Sequence, residues 1–406
     1  MIRKIGLSVV IQMLGTLCSL LLVWLITNKY GVEVQGQFVL IKSWIDLAVV
    51  TACFGLPQSF VYGINQLNIS LKQLEKFTIK YMFLVCFGSL ITTYIWFEYI
   101  QLQSFLNNLS YLFIALGIAF LTSYNLMRGL FLTLNDGSKF AYVTIAPAMA
   151  LFLIFLTYSF LHQKTINFSL IYLLSSFLAF YFVYLNLRNF NKSSISLSYK
   201  NIPWRMLINN GFSVFIQSLA STLLPLGTYW LMTEFGFDKK QVGLFSIALY
   251  VYMVFTLPLN MVAPIFFNKW SKAKDIKSIK NEVLKFAKIG VILIPVVLIC
   301  YLLIPKLLPI VFGSQVVEVI TPTRILLSAI VALYFNNLLT CFLMSQGHFK
   351  KISMIYVFKT FSCLTITVLL IIKFNSLNSV ALSWVATEYL ILLILSLIIW
   401  RKYAIV

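Results

Sequence analysis

Twelve apolar runs recur along the chain with short polar punctuation between them: 6–27, 38–63, 80–100, 110–132, 140–161, 168–188, 208–233, 243–268, 285–305, 323–345, 353–373 and 378–400. A helix needs ~20 apolar residues to cross the hydrocarbon of a bilayer. Every backbone N–H and C=O in hydrocarbon needs a partner within the chain, so runs of this length are expected to be helices. The strict alternation of membrane strands is absent from them. The first run follows Arg3 and Lys4, as a signal peptide would. It extends to Thr27, too far for such a peptide, and no small-residue cleavage site follows, so it reads as a retained first helix.

Composition narrows the class. The chain has 406 residues, 61% of them hydrophobic and 10% charged, with mean hydropathy +0.93. Soluble domains carry about 25% charged residues, so a soluble enzyme, a disordered scaffold and a disulfide-rich secreted module are excluded. The expected fold is all-α: a polytopic membrane protein of about 12 transmembrane helices. A net charge of +20 on a soluble protein would suggest nucleic acid. Here the cations sort by side, and no nucleic acid is expected. Counting the ends of each run with the adjoining loop, the side that carries the two termini and the loops after even-numbered spans holds 22 Lys and Arg and the other side holds 6, with Lys42, Arg324 and Lys359 left inside spans. Cationic loops mark the cytoplasmic face, which predicts cytoplasmic N- and C-termini. Trp24, Trp96, Trp204, Trp230, Trp270 and Trp400 fall near predicted span ends, as an interfacial belt would. The longest loops, Arg188–Leu207 and Lys269–Leu284, are basic. The second either contacts anionic headgroups or simply fixes topology.

The six cysteines (Cys18, Cys53, Cys86, Cys300, Cys341, Cys363) sit in apolar stretches with no C-x-x-C pair. They read as small buried hydrophobes. No metal site and no cofactor is expected. The H-E-x-x-H, G-x-S-x-G and phosphate-loop motifs are absent from the sequence, and neither an enzyme nor an ATP-driven pump is expected.

The two halves repeat. Gly6-Leu7-Ser8-Val9-Val10-Ile11-Gln12 matches Gly211-Phe212-Ser213-Val214-Phe215-Ile216-Gln217. Each match is followed by a long helix, a glycine-punctuated loop (Gly31 to Gly36, Gly236 to Gly243) and a second helix. Six spans per half is an even number, so the halves point the same way. The domain reading is a first lobe at 1–188, a basic linker at 189–207 and a second lobe at 208–406. A substrate path typically lies between such repeats, and rocking of one against the other gives alternating access.

Polar groups inside the spans are the candidate chemistry. Gln12, Thr16 and Ser19 share one helical face, as do Gln217, Ser221 and Thr228. These faces are either a cavity wall for sugar hydroxyls or small polar packing between helices. An ionisable group at a helix centre costs roughly 2.5–3.5 kcal/mol on insertion scales and so needs a partner or a wet cavity. Lys42 lies ~6 Å below the boundary and Asp46 ~12 Å deep, one turn apart. They form either an intrahelical ion pair or a cation site for phosphate, with Asp46 tuning it or carrying a proton. Glu388, ~15 Å into the last helix, and Lys359 are expected to pair across the second half. Asp46 and Glu388 are the ion-coupling candidates. Arg128, near the cytoplasmic end of the fourth helix, either snorkels to water or meets a phosphate. Pro57, Pro225, Pro258 and Pro264 interrupt helices two, seven and eight, as hinges or as static kinks.

Four stretches then resemble the polysaccharide repeat-unit flippases (Wzx type) of the multidrug/oligosaccharidyl-lipid/polysaccharide exporter superfamily. They are Gly31-x4-Gly36-Gln37-Phe38 with Gly55-Leu56-Pro57-Gln58-Ser59, Arg128-Gly129-Leu130-Phe131-Leu132 leading to Asn135-Asp136-Gly137-Ser138-Lys139-Phe140, Val242-Gly243-Leu244-Phe245-Ser246-Ile247-Ala248 with Leu257-Pro258, and Pro305-x3-Pro309-Ile310-Val311-Phe312-Gly313. The resemblance implies two six-helix lobes forming a V, with a cavity lined by helices 1, 2, 7 and 8. It implies an undecaprenyl-diphosphate-linked oligosaccharide moved from the cytoplasmic to the periplasmic leaflet for O-antigen or capsule synthesis. The implied partners are that substrate, membrane lipids and the polysaccharide polymerase and chain-length machinery. In helices 1, 2, 7 and 8 only Lys42 supplies an obvious cation; Tyr229, Tyr250, Tyr252 and other hydroxyls and amides replace the rest. That departure favours a neutral or weakly charged glycan. The alternatives are a cation-coupled multidrug exporter of the same superfamily, and a membrane polymerase or ligase of the same pathway.

Overall fold

The computed structural model of the chain describes residues 2–67, 69–99, 108–131, 137–161, 166–191, 204–272 and 276–403. These residues are helical apart from short turns. The helices are α1 Ile2–Tyr30, α2 Val32–Cys53, α3 Leu56–Leu67, α4 Leu71–Tyr99, α5 Asn108–Leu130, α6 Gly137–Leu161, α7 Phe168–Asn191, α8 Trp204–Glu234, α9 Lys239–Lys272, α10 Ile276–Phe312, α11 Ile320–Ser328, α12 Ile330–Ser345, α13 Phe349–Phe374 and α14 Leu377–Tyr403. A 3-10 turn, Ser314–Val319, precedes α11. Eleven stretches among the described residues are long and apolar enough to cross a membrane. The eighth apolar run lies within α9, a single helix of 34 residues.

The structure divides the apolar runs in places that hydropathy does not mark. The second run is two helices, α2 and α3, parted at Phe54 (φ 45°) and Gly55 (φ 69°). Pro57 is therefore the second residue of α3, where a missing N–H breaks no helical bond. The tenth run is also split, into α11 and α12, at Ala329. Pro305, the last residue of the ninth run, and Pro309 beyond it lie inside α10, which ends at Phe312 just before Gly313 (φ 81°). The expected basic loop Lys269–Leu284 is mostly helix, with only 273–275 outside the described residues. Trp270 explains part of this. It is buried rather than interfacial, packs in a core with Leu338, Phe342 and Ile391, and donates Nε1–H to Glu282 Oε2 at 2.9 Å. The other long loop lies largely outside the described residues, at 192–203.

The chain forms two compact units. The first comprises Met1–Leu22 and Ile41–Leu219; the second comprises Val23–Leu40 and Ala220–Val406. In the first, α5 packs along α4 and α7, and α6 along α7. Small residues permit this without a strong hydrophobic drive between helices in lipid: a Cβ on Gly117 of α5 would lie 3.4 Å from Ser176 Oγ of α7. The start of α8 belongs here because Ser59 Oγ donates to the Leu207 carbonyl at 2.5 Å, and Gly55 and Gly211 bring their backbones together.

In the second unit the end of α1 is held by hydrogen bonds. Trp24 Nε1 (2.8 Å) and Asn28 Nδ2 (3.1 Å) converge on the Val311 carbonyl, and Gln315 Nε2 donates to the Thr27 carbonyl at 3.0 Å. The repeat is visible in the same unit. Gly31 (φ 94°) and Gly236 (φ 83°) make equivalent turns 205 positions apart. Just beyond them α2 and α9 cross backbone to backbone. A Cβ on Gly36 would fall 1.9 Å from the Lys239 oxygen, and one on Gly243 would fall 2.1 Å from the Val32 oxygen.

Candidate functional site

On α1 the polar and apolar faces separate as the helical period predicts. Val10, Met13, Leu14 and Leu17 are about half exposed, while Ile11 and Gly15 pack against Ala141 and Ile145 of α6. Gln12, Thr16 and Ser19 occupy the half-buried sector beside that contact. Thr16 Oγ1 donates to the Gln12 carbonyl at 3.3 Å and Ser19 Oγ to the Gly15 carbonyl at 3.2 Å. Both hydroxyls are thus satisfied within the helix, which leaves the Gln12 amide as the longest polar reach on this face.

On α8, Gln217 is half-buried and Ser221 exposed. Thr228, expected on the same face, is fully buried instead. It donates to the Leu224 carbonyl at 2.8 Å and accepts from Trp384 Nε1 of α14 at 3.3 Å. Thr228 is therefore part of the packed interior of the second unit. The helix runs unbroken through Pro225. On α9, Tyr250 is half-buried, whereas Tyr229 of α8 and Tyr252 of α9 are buried. Pro258 lies within α9, but its side chain falls outside those described, as does that of Pro264.

Lys42 and Asp46 make an ion pair within α2, with side chains 32% and 47% exposed. The rotation of α2 is set from its opposite face. Trp44 stacks on Trp96 of α4, with centroids 4.8 Å apart and planes 7° from parallel. Its Nε1–H donates to Thr93 Oγ1 at 3.2 Å. At about 100° per residue, Trp44 lies roughly 160–200° round the helix from Lys42 and Asp46. The stack therefore turns the ion pair away from α4. Two Trp residues 52 positions apart carry no sequence pattern, so this positioning element was not legible before the structure.

Arg128, half-buried near the end of α5, has its guanidinium carbon 5.9 Å from the Tyr124 ring and 6.0 Å from the Phe140 ring. Among the described residues it has no carboxylate partner. Cys53, at the end of α2 where the chain breaks, is within electrostatic reach of it, and Gly129 beside it packs on the Pro57 backbone. Along α2, Cys53 is 11 residues from Lys42, ~16 Å. The structure thus places Lys42 at the middle of α2 and Arg128 on α5 toward the C-terminal end of α2.

Glu388 of α14 pairs with Lys359 of α13, with Nζ 2.5 Å from Oε1 and side chains 4% and 17% exposed. Asn336 of α12, which span-level reading passed over, donates Nδ2 to Glu388 Oε2 at 2.9 Å. Asp46 and Glu388 therefore differ in kind: the first is half open, and the second is enclosed and triply engaged through its side chain and carbonyl.

No known family model and no curated protein matches the sequence. Solved structures do match, over almost the full length. The lipid II flippase MurJ in an inward closed conformation superimposes with TM-score 0.78 at 15% identity, over 97% of this chain and 87% of that one. An inward-facing multidrug resistance MATE family transporter of the MOP superfamily gives 0.77 at 14% identity, over 99% and 98%. A MOP superfamily transporter from Pyrococcus furiosus, described as having a binding pocket of reverse polarity, gives 0.71 at 15% identity, over 99% and 95%. The chain has the fold of the MOP superfamily membrane transporters.

Proposed function

We propose that the chain moves undecaprenyl-diphosphate-linked oligosaccharide repeat units from the cytoplasmic to the periplasmic leaflet of the bacterial inner membrane by alternating access between its two lobes. The observation that carries the reading is the half-open Lys42–Asp46 pair, turned away from α4 by the Trp44–Trp96 stack. Ionisable groups within membrane spans face a bundle interior or a water-filled cavity, and the side chains of this pair remain 32% and 47% exposed. In the proposal the Lys42 ammonium meets a phosphate as a point charge. Asp46 holds it in place and takes up the coupling ion when the phosphate displaces it. Gln12, Thr16, Gln217, Ser221 and Tyr250 supply amides and hydroxyls suited to sugar. Arg128, on α5, receives the phosphate at the cytoplasmic end. Pro57, Pro225 and Pro258 mark the bending positions. The repeat units then pass to the polymerase and chain-length machinery.

A strain lacking the gene tests this. The expected result is accumulation of lipid-linked repeat units on the cytoplasmic face and loss of the surface polysaccharide. Normal surface polysaccharide, with no paralogue substituting, would overturn it. The second reading, a cation-coupled multidrug exporter, is favoured by the likeness to the MATE transporter fold. That reading predicts altered drug susceptibility in the same strain with polysaccharide unchanged.

A further inference from the structure

Proline has no N–H, so the carbonyl four residues before it in a helix loses its partner. In hydrocarbon that carbonyl has to be satisfied by another group of the protein. Pro147 in α6 frees the Val143 carbonyl, and the buried Tyr124 of α5 donates its hydroxyl to it at 2.9 Å. Pro305 in α10 frees the Tyr301 carbonyl, and Arg324 of α11 donates Nε–H to it at 3.0 Å, with the guanidinium carbon 4.6 Å from the centre of the Tyr301 ring. The two repairs differ in charge. A neutral hydroxyl suffices at Val143, so a freed carbonyl by itself does not call for the cation at Tyr301. A guanidinium has five N–H groups. Among the described residues the other four on Arg324 have no hydrogen-bond partner, and no carboxylate pairs with it.

The surface around this group is apolar. Leu298 and Leu302, one turn before Tyr301 and next to it on α10, are more than half exposed, and Tyr301 is exposed too. Two exposed lysines, Lys288 and Lys306, flank an uncharged stretch of the same helix, 289–305. Their separation along the helix is ~27 Å, close to the ~30 Å of a bilayer's hydrocarbon. Tyr301 then lies ~7 Å inside the boundary near Lys306. A free arginine at that depth extends its charged head to water, but this one is held at Nε by a backbone oxygen. An unneutralised charge within a span is costly, so its counter-charge has to come from outside the described residues. The anion present at a membrane boundary is a lipid phosphate, and the planar N–H fork of arginine matches it. We propose that Arg324 is an anchor for the phosphate of an anionic phospholipid on the lipid-facing surface of the second unit, held in position by the carbonyl that Pro305 frees. With cytoplasmic termini, as the charge sorting predicts, that lipid belongs to the periplasmic leaflet. Arg324 belongs to the second unit and Lys42 and Asp46 to the first, and the proposal is independent of what the chain transports.

Native mass spectrometry of the full-length protein tests this by counting the lipids it retains. The protein is released from detergent micelles after incubation with dioleoyl phosphatidylglycerol, with dioleoyl phosphatidylcholine or with inorganic phosphate. Arg324→Gln removes the charge and keeps an amide N–H for the Tyr301 carbonyl. Lys351→Gln removes the same charge from an exposed position of α13. The wild type is expected to retain one phosphatidylglycerol more than Arg324→Gln, and Lys351→Gln to retain as many as the wild type. Phosphatidylcholine and inorganic phosphate should show no difference between the wild type and Arg324→Gln. Equal phosphatidylglycerol retention by the wild type and a folded Arg324→Gln overturns the proposal. So does an equal loss in Lys351→Gln, which reduces the effect to net charge. A matching difference with phosphatidylcholine or with inorganic phosphate also overturns it, because an anionic lipid is then not what the site selects. If Arg324→Gln fails to accumulate, electron cryomicroscopy of the wild type in phosphatidylglycerol nanodiscs decides. Phosphate density within about 4 Å of the guanidinium supports the proposal, and acyl-chain density or a protein carboxylate in that place contradicts it. Since the readout is bound lipid, a negative result leaves the flippase reading to its own test.

Discussion

At the scale of single residues, charge and exposure separate two ion pairs that look alike in sequence. Lys42–Asp46 and Lys359–Glu388 each place a cation and an anion within apolar spans. The i, i+4 spacing made the first legible, and two charges in adjacent late helices suggested the second. The sequence did not carry their difference: the first is half open and the second enclosed with Asn336. That difference depends on Trp44, Trp96 and Asn336, whose contacts come from distant parts of the chain. It leads to a sharp expectation for Lys42→Ala. An exposed pair contributes only about 0–1 kcal/mol to stability, so the variant should accumulate normally. A lost charge-assisted contact to phosphate, worth about 1.5–3 kcal/mol, should lower transport by roughly 10- to 100-fold. Transport assayed at matched expression checks this, and unchanged activity would make Lys42 a structural charge.

At the scale of helices, hydrophobic length located the spans, because bilayer thickness imposes it. The breaks within spans were harder to read. Phe54 takes a positive φ that a bulky residue rarely adopts, and Ala329 carries no breaker signal at all. The segment read as the basic loop 269–284 continues as helix because length beyond the bilayer is not limited by apolarity. Trp270 and Glu282 tie its two helices together there. The glycines beyond the two repeat turns were visible as a motif, but their purpose was not. Gly36 and Gly243 let α2 and α9 touch through their backbones. Replacing either by Ala drives a methyl into a carbonyl oxygen. Such overpacking costs about 1–3 kcal/mol, so Gly36→Ala and Gly243→Ala should each lower the Tm by several degrees. Gly88→Ala, with open space around it, should be neutral or stabilising. Thermal unfolding of the three variants checks the contrast, and equal behaviour would contradict the backbone crossing.

At the scale of the whole molecule, the internal match near residues 6 and 211 predicts a duplicated fold. The structure adds that the compact units do not follow the chain order strictly: residues 23–40 join the second unit and residues up to 219 stay with the first. Nothing local encodes that exchange. It arises from the bonds of Trp24, Asn28 and Gln315 and from Ser59 with Leu207, each joining residues more than 140 positions apart. Likeness to MurJ and to the MATE transporter gives the fold and leaves the cargo open. The cargo is best tested in vesicles. The full-length protein is reconstituted with lipid-linked repeat units extracted from its own strain. The fraction of repeat units exposed to membrane-impermeant periodate is then followed with time. The account predicts that repeat units confined to one leaflet reach the other with the wild type, and that the rate falls at least about tenfold with Lys42→Ala. A wild-type rate equal to that of protein-free vesicles, with the same vesicles moving a cationic dye, would contradict it.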